Sequence, residues 1–371
     1  MISQIHEKVE VLMPELLKSI QDLVSIYSVE GEATDNAPYG EGPIEALDKA
    51  LDIASKLGFK TVNIDNKIGY AQYGEGNEDY LGIFGHVDVV PLGEGWTYDP
   101  LGGEIANNRI YGRGVLDNKG PILANLYALY ALKELGIRFP MPIRIVFGTN
   151  EETGFKCVQH YLTQEKPPVF GWTPDCKWPV VYGERGRGLI RIVNHTNKEV
   201  FYNFINDYIL SSPSNGVKLG INVRDEDFGE MIMRGYKLGV DEDGRDYFQM
   251  SLSYPGAKTI KELGDIIECH LPSGLEYKLV HNWNPVINNK DSKYIEPLTQ
   301  SYEEIMGSRL EPVTTTGGTY AKIIPNIIAY GPSFPGQNGI AHLPDEWLDL
   351  DDLLNSTKIY ATALYHLRDI L

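Results

Sequence analysis

Apolar residues recur three or four positions apart in several long stretches of the chain, which is the spacing of an amphipathic helix. The stretches Ser3–Ile26, Gly42–Leu57 and Asp351–Leu367 follow this pattern, and so does the leucine-rich stretch after Asn118, a residue type that can cap the start of that helix. Shorter apolar runs that are rich in β-branched residues lie between them and predict strands. Strands that alternate with helices predict an α/β fold.

One predicted strand, Tyr80–Val90, is interrupted by His86 and Asp88. Because side chains alternate between the two faces of a strand, these two residues point the same way. A buried imidazole and a buried carboxylate need partners that offset their desolvation. By itself, the pair fits a hydrogen-bonded couple in the core as well as it fits a metal site.

Further acidic residues and a second histidine lie near predicted strand ends or in the loops beyond them, where open α/β sheets carry their functional sites. They are Asp117, Glu151, Glu152, Asp175 and His342. Two histidines with several carboxylates and no thiolate suit zinc, cobalt or manganese. The set offers more ligands than one catalytic metal needs, so it predicts a two-metal site bridged by a carboxylate.

Charge and cysteine content narrow the class of protein. The formal net charge is −18 and there is no cluster of Lys and Arg, so nucleic acid is not an expected partner. The three cysteines are widely spaced and form no C-x-x-C, which favours a reducing compartment. No signal peptide or membrane span is recognisable, and we expect a cytoplasmic protein without a membrane partner.

The 371 residues predict two domains. The glycine-rich segment Gly183–Gly188 does not have the spacing of a phosphate-binding loop, and we interpret it as a hinge. After it the pattern becomes α+β, and the last part of the chain resembles the first again. We therefore expect a catalytic domain in two parts, residues 1–188 and 311–371, with a smaller domain inserted at 189–310.

Six short motifs follow one another along the chain: His86-x-Asp88, Gly112-Arg-Gly-x-x-Asp117-x-Lys119-Gly120, Glu151-Glu152-x-Gly154, Pro174-Asp175, Gly317-Gly-Thr and His342-x-x-Asp345-Glu346. In this order they resemble the co-catalytic di-zinc metallopeptidase family of aminoacylase, carboxypeptidase G and the carnosinases. The bacterial Xaa-His (carnosinase-like) dipeptidase branch is the most similar. The resemblance covers residues 40–175 and the part of the chain after Ser301. It implies a mixed-sheet zinc-peptidase catalytic domain with an inserted α+β lid domain.

The resemblance also implies which residues would hold the metals. Asp117 would bridge two Zn²⁺ ions, with Co²⁺ and Mn²⁺ as alternatives. His86 and Asp175 would complete one metal site. Glu152 and His342 would complete the other.

The resemblance further implies a hydrolase that cleaves an amide bond next to a free carboxylate, and in particular a dipeptidase. Glu151 would be the general base toward a metal-activated water, and Asp88 would orient the ring of His86. A cis peptide bond would follow Asp117. The substrate would be a dipeptide or an N-acyl amino acid, and a short lid of this kind implies a homodimer through the lid.

The predicted inserted domain departs from the family pattern. Family lids often supply a histidine for the oxyanion and an arginine for the substrate carboxylate, and no segment here matches either. The unassigned candidates are His195, His270, His281, Arg224 and Arg234. Two alternatives therefore stay open: an N-acyl-amino-acid deacylase of the same family, and a metal-binding regulatory protein without catalytic activity.

Overall fold

The helical stretches expected from the sequence are helices in the computed structural model, which describes residues 1–76 and 78–371. Within these residues the α-helices are α1 (Ile2–Val24), α2 (Glu41–Lys56), α3 (Lys119–Glu134), α4 (Lys156–Gln164), α5 (Lys198–Ile205), α6 (Ile260–His270), α7 (Ile295–Met306) and α8 (Leu350–Leu367). The strands are β1 (Lys60–Ile64), β2 (Ile68–Tyr73), β3 (Leu81–His86), β4 (Glu104–Ala106), β5 (Arg109–Tyr111), β6 (Ile143–Gly148), β7 (Phe170–Thr173), β8 (Cys176–Lys177), β9 (Val180–Glu184), β10 (Gly186–Asn194), β11 (Arg224–Asp225), β12 (Gly229–Glu230), β13 (Ile232–Val240), β14 (Asp246–Tyr254), β15 (Leu275–Trp283), β16 (Val286–Ile287), β17 (Val313–Thr315), β18 (Ile327–Tyr330), β19 (Pro332–Ser333) and β20 (Trp347–Asp349).

The chain divides into two compact units. Unit 1 comprises Met1–Val181, Asn288–Val313 and Thr319–Leu371, and unit 2 comprises Tyr182–Ile287 and Thr314–Gly318. These bounds differ from the predicted insertion of 189–310, because residues 288–310, including α7, lie in unit 1. The physical reason is packing: Ile295, Leu298 and Tyr302 of α7 are buried in the same apolar core as α8.

The main sheet of unit 1 has a parallel centre. Its strands run in the order β1-β2-β6-β3-β7-β18, and Val180 and Val181 of β9 pair with β18. Strand β3 is parallel to both β6 and β7, and β18 is parallel to β7, whereas β1, β2 and β9 are antiparallel to their neighbours. The fold is therefore mixed α/β, as the sequence predicts.

Helix α3 lies inside unit 1 rather than on its surface. It is apolar on almost every side, and Ile122, Leu126 and Leu129 are fully buried. A helix of this kind has to be enclosed by other elements, and α3 is packed against α1 and α8. The residues directly before α3, which include Asp117, are thus held by a rigid element.

Unit 2 is built on the four-stranded antiparallel sheet β13-β14-β10-β15, and its core includes residues of α5 and α6. The hinge expected at Gly183–Gly188 is wrong for its second half, because Gly186 and Gly188 lie in β10 and pair with β14. A Cβ atom at residue 188 would lie 2.5 Å from Ile260 Cδ1, so this glycine permits close packing. Every helix among the described residues is too short or too polar to span a lipid bilayer.

Candidate metal centre

Three neighbouring parallel strands, β6, β3 and β7, end at the same edge of the unit 1 sheet. His86 is the last residue of β3 and pairs with Gly148 at the end of β6. Glu151 and Glu152 follow shortly after β6, and Asp175 follows shortly after β7. This edge is where parallel sheets carry their sites, and it brings together four of the residues predicted from the sequence.

Asp117 reaches the same edge from the start of α3. It is joined to Asn118 by a cis peptide bond, as the resemblance implied. The side chain of Asn118 does not cap α3, although its position at the helix start suggested that role. Its Nδ2 donates to the main-chain oxygen of Pro174 (2.5 Å), and its Oδ1 accepts from the N–H of His86 (3.4 Å). Asn118 therefore connects the start of α3 to the ends of β3 and β7.

The candidate ligands surround the carboxylate of Asp117. Its Oδ1 lies 3.1 Å from His86 Nε2, and its Oδ2 lies 3.0 Å from His342 Nε2. His86 Nε2 is also 3.7 Å from Asp175 Oδ2. His342 Nε2 is also 3.1 Å from Glu152 Oε1. Asp117 thus lies between two imidazoles, each of which faces a further carboxylate.

Glu151 lies close to this centre too. Single donor atoms of His86, Glu151 and Asp175 lie within 4.8 Å of one another, and so do those of His86, Asp117 and Glu152. Glu151 is therefore close enough to the other donor atoms to act as a metal ligand or as a base.

The second ring nitrogen of His86 faces Asp88. Nδ1 donates to the main-chain oxygen of Asp88 at 2.9 Å, whereas the carboxylate oxygen Oδ1 is 3.5 Å away. The other carboxylate oxygen, Oδ2, accepts from the N–H of Glu152 at 3.1 Å. Asp88 therefore orients His86 mainly through its backbone, and its carboxylate fixes the Glu151–Glu152 turn. Since Nδ1 is held by this backbone oxygen, Nε2 is the ring nitrogen that faces Asp117, and it is the atom that would bind a metal ion in place of a proton.

Burial and mutual repulsion raise the pKa values of several acids at the centre. Burial, followed by the charge of Asp117, raises the pKa of Asp175 to about 7. Burial, followed by the charge of Asp175, raises the pKa of Glu151 well above its usual value. Burial also raises the pKa of Glu152, against the hydrogen bond from His342.

The same negative charge also raises the pKa values of the two histidines, which favours their charged form. Hydrogen bonds to Asp117 and Glu152 raise the pKa of His342 to about 10. Burial opposes a charge on His86, but hydrogen bonds to Asp117 and Asp175 outweigh it and raise its pKa well above the usual value. The centre thus attracts positive charge, and its donors are imidazole nitrogens and carboxylate oxygens. That chemistry fits divalent cations such as zinc.

Arg113, Lys119 and Glu346 belong to the sequence motifs, but the motifs by themselves assign no role to these three residues. All three side chains are buried in unit 1. Lys119 Nζ donates to the main-chain oxygens of Leu23 (3.0 Å) and Ile26 (2.9 Å) at the end of α1. Their position as charged residues inside the glycine-rich motif Gly112–Gly120 is a signal that could have identified Arg113 and Lys119, whereas the local sequence offers none for Glu346.

The unassigned histidines and arginines all have partners within unit 2. His195 is 2.7 Å from Glu276, His270 donates to the main-chain oxygen of Ile266, and the ring of His281 contacts Trp283. Arg224 is 3.9 Å from Glu230, and Arg234 donates to the main-chain oxygen of Thr316 at 3.2 Å. These contacts assign none of the five to substrate.

Comparison with known proteins agrees with this geometry. The profile of peptidase family M20/M25/M40 matches residues 82–366. A Bacillus subtilis relative named "Putative dipeptidase YtjP" is 29% identical over 454 aligned positions, which cover 95% of this chain and 97% of the relative. Human carnosine dipeptidase 1 has a TM-score of 0.73 at 15% identity and covers 99% of both chains. A Bacillus subtilis protein, YXEP, described as a dinuclear metal binding peptidase, has a TM-score of 0.65 at 12% identity and covers 98% of this chain and 100% of its own.

Proposed function

Because this chain belongs to peptidase family M20/M25/M40 and is a metal-dependent peptidase, we propose that it is a dipeptidase. It hydrolyses the amide bond next to a free carboxylate at a pair of zinc ions. The observation that carries the proposal is the carboxylate of Asp117, whose two oxygens face His86 Nε2 and His342 Nε2 at 3.1 and 3.0 Å. The names of the Bacillus subtilis relative and of human carnosine dipeptidase 1 support the substrate class.

The proposed ligands form two sets that share Asp117. His86 and Asp175 complete one set, and Glu152 and His342 complete the other. Metal ions held by these residues would polarise the scissile carbonyl and make water a nucleophile near neutral pH. Zinc suits this mixture of nitrogen and oxygen donors, and cobalt or manganese would be accepted by the same residues.

Glu151 is the proposed proton carrier. Its carboxylate accepts a proton from the attacking water and later donates it to the nitrogen of the leaving amine. Burial raises its pKa above the usual value, and that is the direction that suits a carboxyl group which has to accept a proton and then return it near neutral pH. Asp88 supports both neighbours of this carboxylate. Its main-chain oxygen accepts a hydrogen bond from His86 Nδ1, and its Oδ2 accepts one from the N–H of Glu152.

The replacement Glu151→Gln tests this assignment. A general base contributes about 10²- to 10⁴-fold to rate, so the variant should lose that much kcat while it still binds two zinc ions per chain. A variant that lost a zinc ion would identify Glu151 as a ligand, and unchanged kcat would contradict the mechanism. Glu165→Gln is the matched control, because Glu165 pairs with Arg144 (2.9 Å) away from the candidate ligands.

The substrate class is tested with a panel of free dipeptides and N-acyl amino acids, assayed with and without a chelator. We expect hydrolysis of the dipeptides, and we expect prolonged chelation to abolish it. Preference for the N-acyl amino acids would instead identify a deacylase. Metal binding without hydrolysis of either class would favour a regulatory protein.

We also propose that the inserted domain is a lid through which the protein forms a homodimer. The sheet of unit 2 ends in strands β13 and β15, which expose Leu238, Val240, Leu279 and Val280. Edge strands with exposed apolar side chains are suited to association. Light scattering should give the mass of two chains, and a monomer at micromolar concentration would contradict this.

A cytoplasmic location is part of the same proposal. No disulfide bond joins any of Cys157, Cys176 and Cys269 in the part of the chain that the structure describes, which is usual in a reducing compartment. Fractionation of cells that make the protein at its natural level should recover it with cytoplasmic markers, and recovery with secreted proteins would contradict this.

A further inference from the structure

A fully buried carboxylate, Glu346, connects two segments that carry proposed metal ligands. Its Oε1 accepts hydrogen bonds from the main-chain N–H groups of Gly114 (3.0 Å), Leu116 (3.0 Å) and Asp117 (3.1 Å). Its Oε2 accepts from Arg113 Nη1 at 2.8 Å. Glu346 is 0% exposed, so both carboxylate oxygens are satisfied by these groups rather than by solvent.

The guanidinium of Arg113 extends this connection to a third segment. Besides Glu346, its Nη1 donates to the main-chain oxygen of Leu343 at 3.3 Å. Its Nη2 donates to the main-chain oxygens of Pro91 (3.4 Å) and Leu92 (3.1 Å). Pro91 and Leu92 follow the strand that ends in His86. The ion pair between Arg113 and Glu346 therefore connects the three segments that carry His86, Asp117 and His342.

The loop that carries His342 needs such an anchor. Its backbone is left-handed at both His342 and Asp345, with φ values of 66° and 56°, and the His342 side chain is 52% exposed. Non-glycine residues keep this conformation only where the surroundings enforce it. Asp345 helps, because its Oδ1 accepts from the N–H groups of Thr97 (2.7 Å) and Tyr98 (3.3 Å).

The register of two short strands brings Glu346 to its partners. Strand β20 pairs with β5 so that Trp347 lies opposite Tyr111, and the N–H of Gly112 donates to the main-chain oxygen of Glu346 at 3.0 Å. The side chain of Glu346 then lies against the turn from Gly112 to Asp117. A change at Glu346 is thus transmitted to the Asp117 backbone and to the His342 loop together.

We propose that Glu346 and Arg113 form a positioning pair that sets the distance between Asp117 and His342 and so creates the metal site that uses His342. The inference rests on the proposed function, because it assumes that these two residues are ligands. Partners that orient metal ligands typically change metal affinity by about 10- to 100-fold when they are replaced. We expect an effect of that size at the His342 site and a smaller one at the site completed by His86 and Asp175.

The test is zinc binding to Glu346→Gln in metal-buffered solutions, with the wild type and Glu165→Gln in parallel. Glutamine keeps one acceptor oxygen, so either the three N–H groups or the Arg113 guanidinium must face an NH₂ group. We expect two zinc ions per wild-type chain. In Glu346→Gln one of the two should bind about 10- to 100-fold more weakly, and the Co²⁺ absorption spectrum of that site should change.

The control separates positioning from general loss of stability. Glu165→Gln also breaks a buried-arginine ion pair in unit 1, so it should lower stability while both zinc affinities and the Co²⁺ spectrum stay unchanged. Native zinc affinities in a folded Glu346→Gln protein would overturn the inference. If that variant is not recovered folded, Arg113→Lys gives the same test, since lysine cannot reach all of the acceptors of Arg113. Fewer than two zinc ions on the wild type would contradict the proposed function instead.

Discussion

Gly148 offers a strict test of the packing behind the metal centre. It ends β6 opposite His86, and a Cβ atom built there would overlap the hydroxyl oxygen of Tyr320 and lie 2.7 Å from its Cζ. Tyr320 is fully buried, its hydroxyl is 3.1 Å from Cys157 Sγ, and its ring is 6.4 Å from the ring of His86. Gly148→Ala must therefore displace a ring that has no free space around it.

The magnitude follows from two costs. Overpacking a dense core costs about 1–3 kcal/mol, and loss of the hydrogen bond between Tyr320 and Cys157 adds about 0.5–1.5 kcal/mol. We expect Gly148→Ala to lower the free energy of unfolding by about 2–4 kcal/mol, measured by urea denaturation with an unchanged m-value.

A double-mutant cycle identifies the cause of that loss. Tyr320→Phe removes the overlapping oxygen, so the double variant should regain about 1–2 kcal/mol relative to the sum of the single changes. Gly31→Ala is the control, because a Cβ atom there meets only Gly40 Cα at 3.6 Å, and it should cost less than about 0.5 kcal/mol. A Gly148→Ala protein as stable as the wild type, or strictly additive effects, would refute the reasoning.

Two further changes test other parts of the chain. Burial lowers the pKa of His6, whose Nε2 is 3.0 Å from Thr362 Oγ1. The unfolded state therefore binds a proton more readily than the folded state does. The free energy of unfolding should consequently fall as the pH drops below about 6.5. His6→Gln should flatten that dependence in urea titrations between about pH 5 and 7, and an unchanged slope would contradict the assignment. Thr259 forms a capping box with Glu262 at the start of α6, and Thr259→Ala should cost about 1 kcal/mol. Faster hydrogen exchange in α6 would report this loss, and unchanged exchange would argue against it.

The part of the site that lies at strand ends could be predicted from the sequence. His86 lies in an apolar strand, Glu151, Glu152 and Asp175 lie near the ends of others, and parallel strands bring their ends to one edge. The resemblance to the di-zinc peptidases is confirmed by the family match over residues 82–366. The metal-ligand and base roles of these residues stay predictions.

The supports of the site could not be predicted in the same way. Arg113 and Glu346 are 233 positions apart, and both lie in loops without hydrophobic periodicity, so no local pattern predicts that they meet. Asn118 looked like a helix cap, but its side chain is used to connect strands instead. In both cases long-range contacts decide the role of a polar residue.

The bounds of the inserted domain are also set by contacts between residues that are far apart in the sequence. Helix α7 has an amphipathic pattern that would suit either unit, and only its burial against the core of α8 assigns it to unit 1. Gly186 and Gly188 could not be assigned to a hinge or to a strand from the sequence, because glycine occurs both at bends and where a strand packs closely against another element.

The proposed mechanism requires Asp117 to be shared by two metal ions. A crystal structure of the zinc-loaded protein, with data collected at the zinc absorption edge, measures this directly. We expect two anomalous peaks about 3.5–4 Å apart, one beside His86 and Asp175 and one beside Glu152 and His342, with Asp117 between them. A single peak, or two peaks that do not share Asp117, would contradict the account.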